Sequence, residues 1–150
     1  MGNLWSDQAK YQSWLDVEIA ACEANFKLGK IPKSAMETIR TKARFQPERI
    51  LEIEEEVRHD VIAFLTNVNE YVGDAGRYIH VGMTSSDVLD TGLALQLKSS
   101  VKLLKKELLI LEEAIRDLAS QHKKTVMIGR SHAIHAVSYT HLRAHETKAN

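Results

Sequence analysis

Over the first thirty residues the bulky positions Tyr11, Trp14, Leu15, Glu18, Ile19 and Cys22 return at intervals of three and four, which places them on one face of a helix. Ser6 or Asp7 is suited to cap its start, Trp5 reads as the beginning of the buried face, and Gly29 with Pro32 ends it. A shorter helix is expected from about Lys33 to Ala43. Pro47, in FQPERI, fits the first turn of the next helix, where its missing N–H costs nothing. From there Ile50, Ile53, Val57, Val61, Phe64, Leu65 and Val68 carry one apolar face to Gly73, with Glu52, Glu54, Glu55 and Glu56 on the solvated side. The longest pattern begins near Ser85 or Ser86 and runs to about His122. In it Leu93, Leu97, Val101, Leu104, Leu108, Leu111, Ile115 and Leu118 alternate steps of four and three, a heptad seam. A single helix of that extent would be roughly 55 Å long, more than a compact domain of this size spans, so its far end requires helices from more chain or other subunits. No strand-like alternation interrupts the pattern, and the predicted fold class is all-α.

Composition narrows the function classes. The 150 residues suffice for one ordinary core. Lys+Arg 20 against Asp+Glu 20 gives a formal net charge of +0, so no global field recruits nucleic acid or an anionic membrane. Neither partner is expected. Cys22 is the single cysteine and reads as core packing in a reducing cytoplasm. No apolar run approaches the ~20 residues of a bilayer span. MGNLWS satisfies the myristoylation pattern, but no polybasic second anchor follows it, and the match reads as accidental.

Polar chemistry is concentrated in three places. GMTSSDVLDT, Gly82 to Thr91, lies at the mouth of the long helix, where backbone N–H groups lack partners and the dipole is positive. Thr84 or Ser85 with Asp87 reads as a helix cap; the same hydroxyls, N–H groups and permissive Gly82 also suit a carboxylate or phosphate. RHDV sets Arg58, His59 and Asp60 where the apolar period of the middle helix breaks. GRSHAIHA sets Arg130, Ser131, His132 and His135 after the long helix. Histidine beside arginine and hydroxyls can deliver a proton near neutral pH while its neighbours hold anionic groups; taken singly, each histidine is equally a satisfied polar side chain. His132, His135, His141 and His145 also crowd together, but no cysteine or well-placed acidic ligand accompanies them, and no metal is assigned.

Together YQSWLDVEIAACEA, RILEIEEEVRHDVIAF, HVGMTSSDVLDT and GRSHAIHA resemble the fumarase/aspartase superfamily from Leu4 to Ala136, and RHDVIAF after EIEEE narrows the resemblance to its adenylosuccinate lyase family. The resemblance implies an N-terminal helical domain over residues 1–84, followed by the first long helix of a helical bundle over 85–136. It implies elimination of fumarate from adenylosuccinate, or from its imidazole carboxamide counterpart in purine biosynthesis, by a cytoplasmic homotetramer with no cofactor. By the same implication His132 is the general acid, Thr84 and Ser85 bind the succinyl carboxylate, and Arg58, His59 and Asp60 line the substrate pocket. His80 and Ser131 are neighbours with weaker claims.

The departures are equally specific. Members of the family carry an Arg-Tyr-containing segment upstream of the position of Met1 and, later, a signature loop with a serine base; neither is present, so this chain reads as a fragment, inactive by itself. After GRSHAIHA the chain reads VSYTHLRAHETKAN instead of the family's continuation, and residues 137–150 are expected to be a non-native, disordered tail. The alternatives are a sister lyase such as argininosuccinate lyase, a carboxymuconate cycloisomerase, or a helical oligomerisation module without chemistry.

Overall fold

The Ser6 hydroxyl accepts the Ala9 N–H at 3.2 Å and thereby caps the first helix, α1, which runs Asp7–Lys27. This computed structural model describes residues 2–126, 130–131 and 134–135. After α1 come α2 (Lys33–Lys42), α3 (Pro47–Val57), α4 (Asp60–Val72), a 3₁₀ turn (Gly73–Tyr78) and α5 (Ser85–Gln121). Apart from helices and turns, the described residues contain an antiparallel pair of two-residue strands, β1 (Arg130–Ser131) and β2 (Ile134–His135). The class is all-α as predicted, and α5 is unbroken over nearly the predicted extent. The chain divides into two compact units, Met1–Lys106 and Glu107–Asn150.

The core of the first unit is built on the α1 face. Tyr11 meets Trp14 edge-on at 5.2 Å between ring centroids and stacks on Phe64 of α4 at 6.0 Å. Met36, Ile39, Ile50, Val61, Val68 and Val88 complete it, each fully buried. Asn67 is buried among them and stays satisfied, accepting the Gln46 N–H at 2.8 Å and donating to Glu70 at 2.9 Å. Arg49 bonds the same Glu70 at 2.9 Å, so the start of α3 is fastened to α4 by polar contacts at the edge of the core.

Two expectations are corrected. The face from Ile50 to Val68 belongs to two helices. Arg58 turns into the left-handed region (φ 54) and His59 is extended, which ends α3 and restarts the chain as α4. Val57, expected on that face, is 41% exposed at the end of α3, but the two-residue turn returns α4 to the same core, where Ile53 and Val61 are both buried. Trp5 does not begin the buried face: it lies in a 3₁₀ turn (Gly2–Trp5), ahead of the cap and out of phase with α1, and is 48% exposed.

Helix α5 contacts α1 where Gly92 lies against Ser13 and Trp14. Its buried residues are Val88, Gly92 and Ser100, whereas every seam residue from Leu93 to Leu118 is exposed. Among the described residues no helix is long and apolar enough to cross a membrane.

Candidate active site

Arg58, His59 and Asp60 form the α3–α4 junction, and each has a backbone task. The Arg58 N–H donates to the Glu54 carbonyl at 2.9 Å as the left-handed C-cap of α3. His59 is the N-cap of α4, its Nδ1 accepting the Ile62 N–H at 3.4 Å. That role leaves Nδ1 without a proton, so neutral His59 carries its proton on Nε2 and presents a donor there. Asp60 accepts the Val61 N–H at 2.7 Å in the first turn. The Arg58 side chain lines an open hollow of about 480 Å³ with Leu51, Glu54 and Glu55.

At the mouth of α5 the cap reading is realised, in reciprocal form. The Thr84 N–H donates to Asp87 Oδ2 at 2.8 Å while Thr84 Oγ1 accepts the Ser86 N–H at 3.4 Å. This does not exhaust Thr84, because a hydroxyl that accepts still has its own proton to donate. Ser85 is half-buried, and its hydroxyl forms no hydrogen bond among the described residues. Cap and anion site are therefore compatible: two O–H donors and a first-turn N–H remain at the positive end of α5.

Immediately upstream is a contact that the periodicity could not specify. Glu18, 1% exposed, holds His80 twice: Oε2 accepts the His80 N–H at 2.9 Å, and Oε1 lies 2.6 Å from Nδ1. Burial pushes the Glu18 carboxyl above its ordinary range, and the bonds from His80 oppose that shift. The available signal was a charged residue on an otherwise apolar stripe, one turn from Trp14 and one from Cys22.

No hydrogen bond or ion pair joins Arg58, His59 or Asp60 to Thr84 or Ser85 among the described residues. His132, His141 and His145 lie outside the described residues, as do the side chains of Ser131 and His135 and the expected tail. Among the described residues no group of three metal-ligating side chains occurs.

The sequence pattern of the Lyase family matches residues 1–146. The chain belongs to this family. A curated relative, adenylosuccinate lyase from Synechocystis sp. (strain ATCC 27184 / PCC 6803 / Kazusa), is 65% identical over 140 residues, covering 93% of this chain and 32% of its own length. Adenylosuccinate lyases from Aquifex aeolicus (strain VF5) and Bacillus subtilis (strain 168) are 47% and 46% identical, over 93% and 91% of this chain and 33% and 32% of theirs. The chain thus spans about a third of the length of these relatives. The fold is also that of a fumarate lyase from Mesorhizobium sp. BNC1, with a TM-score of 0.79 at 30% identity, over 90% of this chain and 33% of that one. A 3-carboxy-cis,cis-muconate lactonizing enzyme from Pseudomonas putida gives a TM-score of 0.81 at 29% identity, over 90% of this chain and 32% of its own.

Proposed function

We propose that this chain furnishes the N-terminal helical domain (residues 1–84) and the start of the helical bundle (85–136) of a cytoplasmic adenylosuccinate lyase. In that reaction the C–N bond of adenylosuccinate breaks, releasing fumarate and AMP, and the succinylated imidazole carboxamide ribotide is cleaved in the same way. The observation that carries the reading is the 65% identity to a relative of that name over 93% of this chain. The structural neighbours named for muconate chemistry and fumarate lyase activity stand at 29% and 30%, which favours the adenylosuccinate assignment over a cycloisomerase.

The chemistry suits the residues. Elimination removes a proton from carbon, builds negative charge on the adjacent carboxylate as an aci-carboxylate, and requires a proton on the departing nitrogen. Thr84 and Ser85 supply O–H donors at a helix N-terminus, where preorganised donors stabilise that growing charge. Arg58, His59 and Asp60 line the pocket for the rest of the substrate. His132, in GRSHAIHA, is the general acid for the leaving nitrogen. No residue of this chain is assigned as the base. The exposed seam of α5 is covered in the parent protein by its counterparts in a homotetramer.

The test is fumarate release from adenylosuccinate by the chain continued to the length of its relatives. His132→Ala is expected to lower kcat by roughly 10²–10⁴-fold, the usual loss for a positioned acid. Ser85→Ala is expected to lower both affinity and turnover. Normal turnover by the His132→Ala protein would overturn the acid assignment. Cleavage of argininosuccinate in place of adenylosuccinate would overturn the substrate.

A further inference from the structure

Glu18 is the one charged residue in the buried core among the described residues. A carboxylate loses its hydration there, and an apolar residue of similar volume would fill the site at lower cost, so packing alone does not account for it. Both of its oxygens are spent on one residue 62 positions away, His80. His80 in turn holds φ 64, a left-handed conformation that costs a side-chain-bearing residue roughly 1–2 kcal/mol. The two bonds fix the His80 peptide, the plane of its ring and its tautomer together. With Nδ1 facing the carboxylate as the donor, Nε2 is the nitrogen left to meet another group, and no described residue bonds it. The ring is 22% exposed. From His80 the chain turns at once toward the α5 mouth: the Met83 N–H donates to the His80 carbonyl at 3.3 Å, Gly82 takes φ 80, and Thr84 and Ser85 follow.

We propose that Glu18 is a positioning residue for the anion site, holding His80 so that its Nε2 edge meets the same carboxylate-bearing substrate as the Thr84 and Ser85 hydroxyls. This rests on the lyase reading above and adds to it a buried residue that touches no substrate. A carboxylate suits the task because it accepts from the ring and the peptide at once, and it keeps the Nδ1 proton in place when Nε2 binds an anion.

The experiment uses the chain continued to the length of its relatives, with Glu18→Gln, His80→Ala and the double variant. Fumarate release gives kcat and KM separately, and fumarate affinity is measured by calorimetry. Glu18→Gln is expected to retain the helical circular dichroism spectrum and to lower kcat/KM about tenfold, the coupling typical of residues in one hydrogen-bond network. In the His80→Ala background the same change is expected to add almost nothing. Unchanged kcat/KM in Glu18→Gln, or losses that multiply in the double variant, would show that Glu18 serves the fold alone. Should Glu18→Gln not fold, Glu18→Asp, which keeps the charge and shortens the reach, is scored by the same criteria. Should the wild type release no fumarate, the lyase reading falls and fumarate affinity decides Glu18. Weakening by either substitution without further loss in the double variant sustains the inference; unaltered affinity, or no binding by the wild type, overturns it.

Discussion

Cys22 lies one turn beyond Glu18 on the buried stripe of α1, its Sγ 3.6 Å from the Tyr78 carbonyl. Burial, reinforced by Glu18 and Glu23, pushes its thiol up to about 11, so the reactive thiolate is scarce at neutral pH. Alkylation by iodoacetamide at pH 8 should therefore be slow in the native chain and fast in urea, as mass spectrometry would report. The linked effect on stability has a definite sign. A pKa raised by folding adds stability that is complete below the unfolded thiol value and is lost as pH climbs to about 11. Denaturant midpoints across that alkaline window should fall less steeply in Cys22→Ala. Arg58 separates fold from function in another way: its φ of 54 is a strain that glycine does not feel. Arg58→Gly should raise unfolding stability by up to roughly 1 kcal/mol, while substrate affinity in the extended chain falls for want of the guanidinium. Matched losses of stability and affinity would contradict this separation.

Between elements, the decisive approach is α5 against α1. A Cβ built at Gly92 would stand 2.7 Å from Trp14 Cδ1 and 2.9 Å from Ser13 Oγ. Alanine is the better helix former by about 1 kcal/mol, which argues for tolerance. The clash argues the other way and should win, because Trp14 is buried against Tyr11 and Phe64 and its ring cannot yield. Gly92→Ala is expected to cost about 1–3 kcal/mol in urea unfolding, as overpacking does elsewhere. It should also disturb the Thr84–Ser85 mouth two turns upstream. The α3–α4 junction makes a related point, since the two residues that break the helix, Arg58 and His59, are among those assigned to the substrate pocket. A turn exposes side chains, which is why site residues gather there.

For the molecule as a whole, the seam of α5 is the dominant feature, with Leu93, Leu97, Val101, Leu104, Leu108, Leu111, Ile115 and Leu118 all exposed. An apolar stripe of that length promotes association. The 150-residue chain should therefore show concentration-dependent association in light scattering, and Leu108→Glu with Leu111→Glu should shift it toward monomer. A monomer at all concentrations would show that the seam needs no partner. With adenylosuccinate the same chain is expected to release no fumarate, because it spans only about a third of the length of the lyases it matches. Measurable turnover would place the base among these residues.

What the sequence determined by itself is what depends on neighbours within a turn or two. The bounds of α1, α2 and α5, a cap at Ser6 or Asp7, Pro47 at the start of α3 and the burial of Cys22 all follow from spacing and first-turn chemistry, whereas the motifs around Arg58 and Thr84 were legible only through their resemblance to a family. The tertiary structure decided what joins distant positions or departs from the helical period. It split one apolar face into α3 and α4 and left Val57 exposed at the break, because a left-handed residue and an extended one can end one helix and return the chain to the same core. It left Trp5 outside the core, because an aromatic ahead of a cap follows no helical phase. It brought Glu18 to His80 across 62 positions, a pairing that arises only when α1 and the turn before α5 pack together and the buried carboxylate must find its donors there.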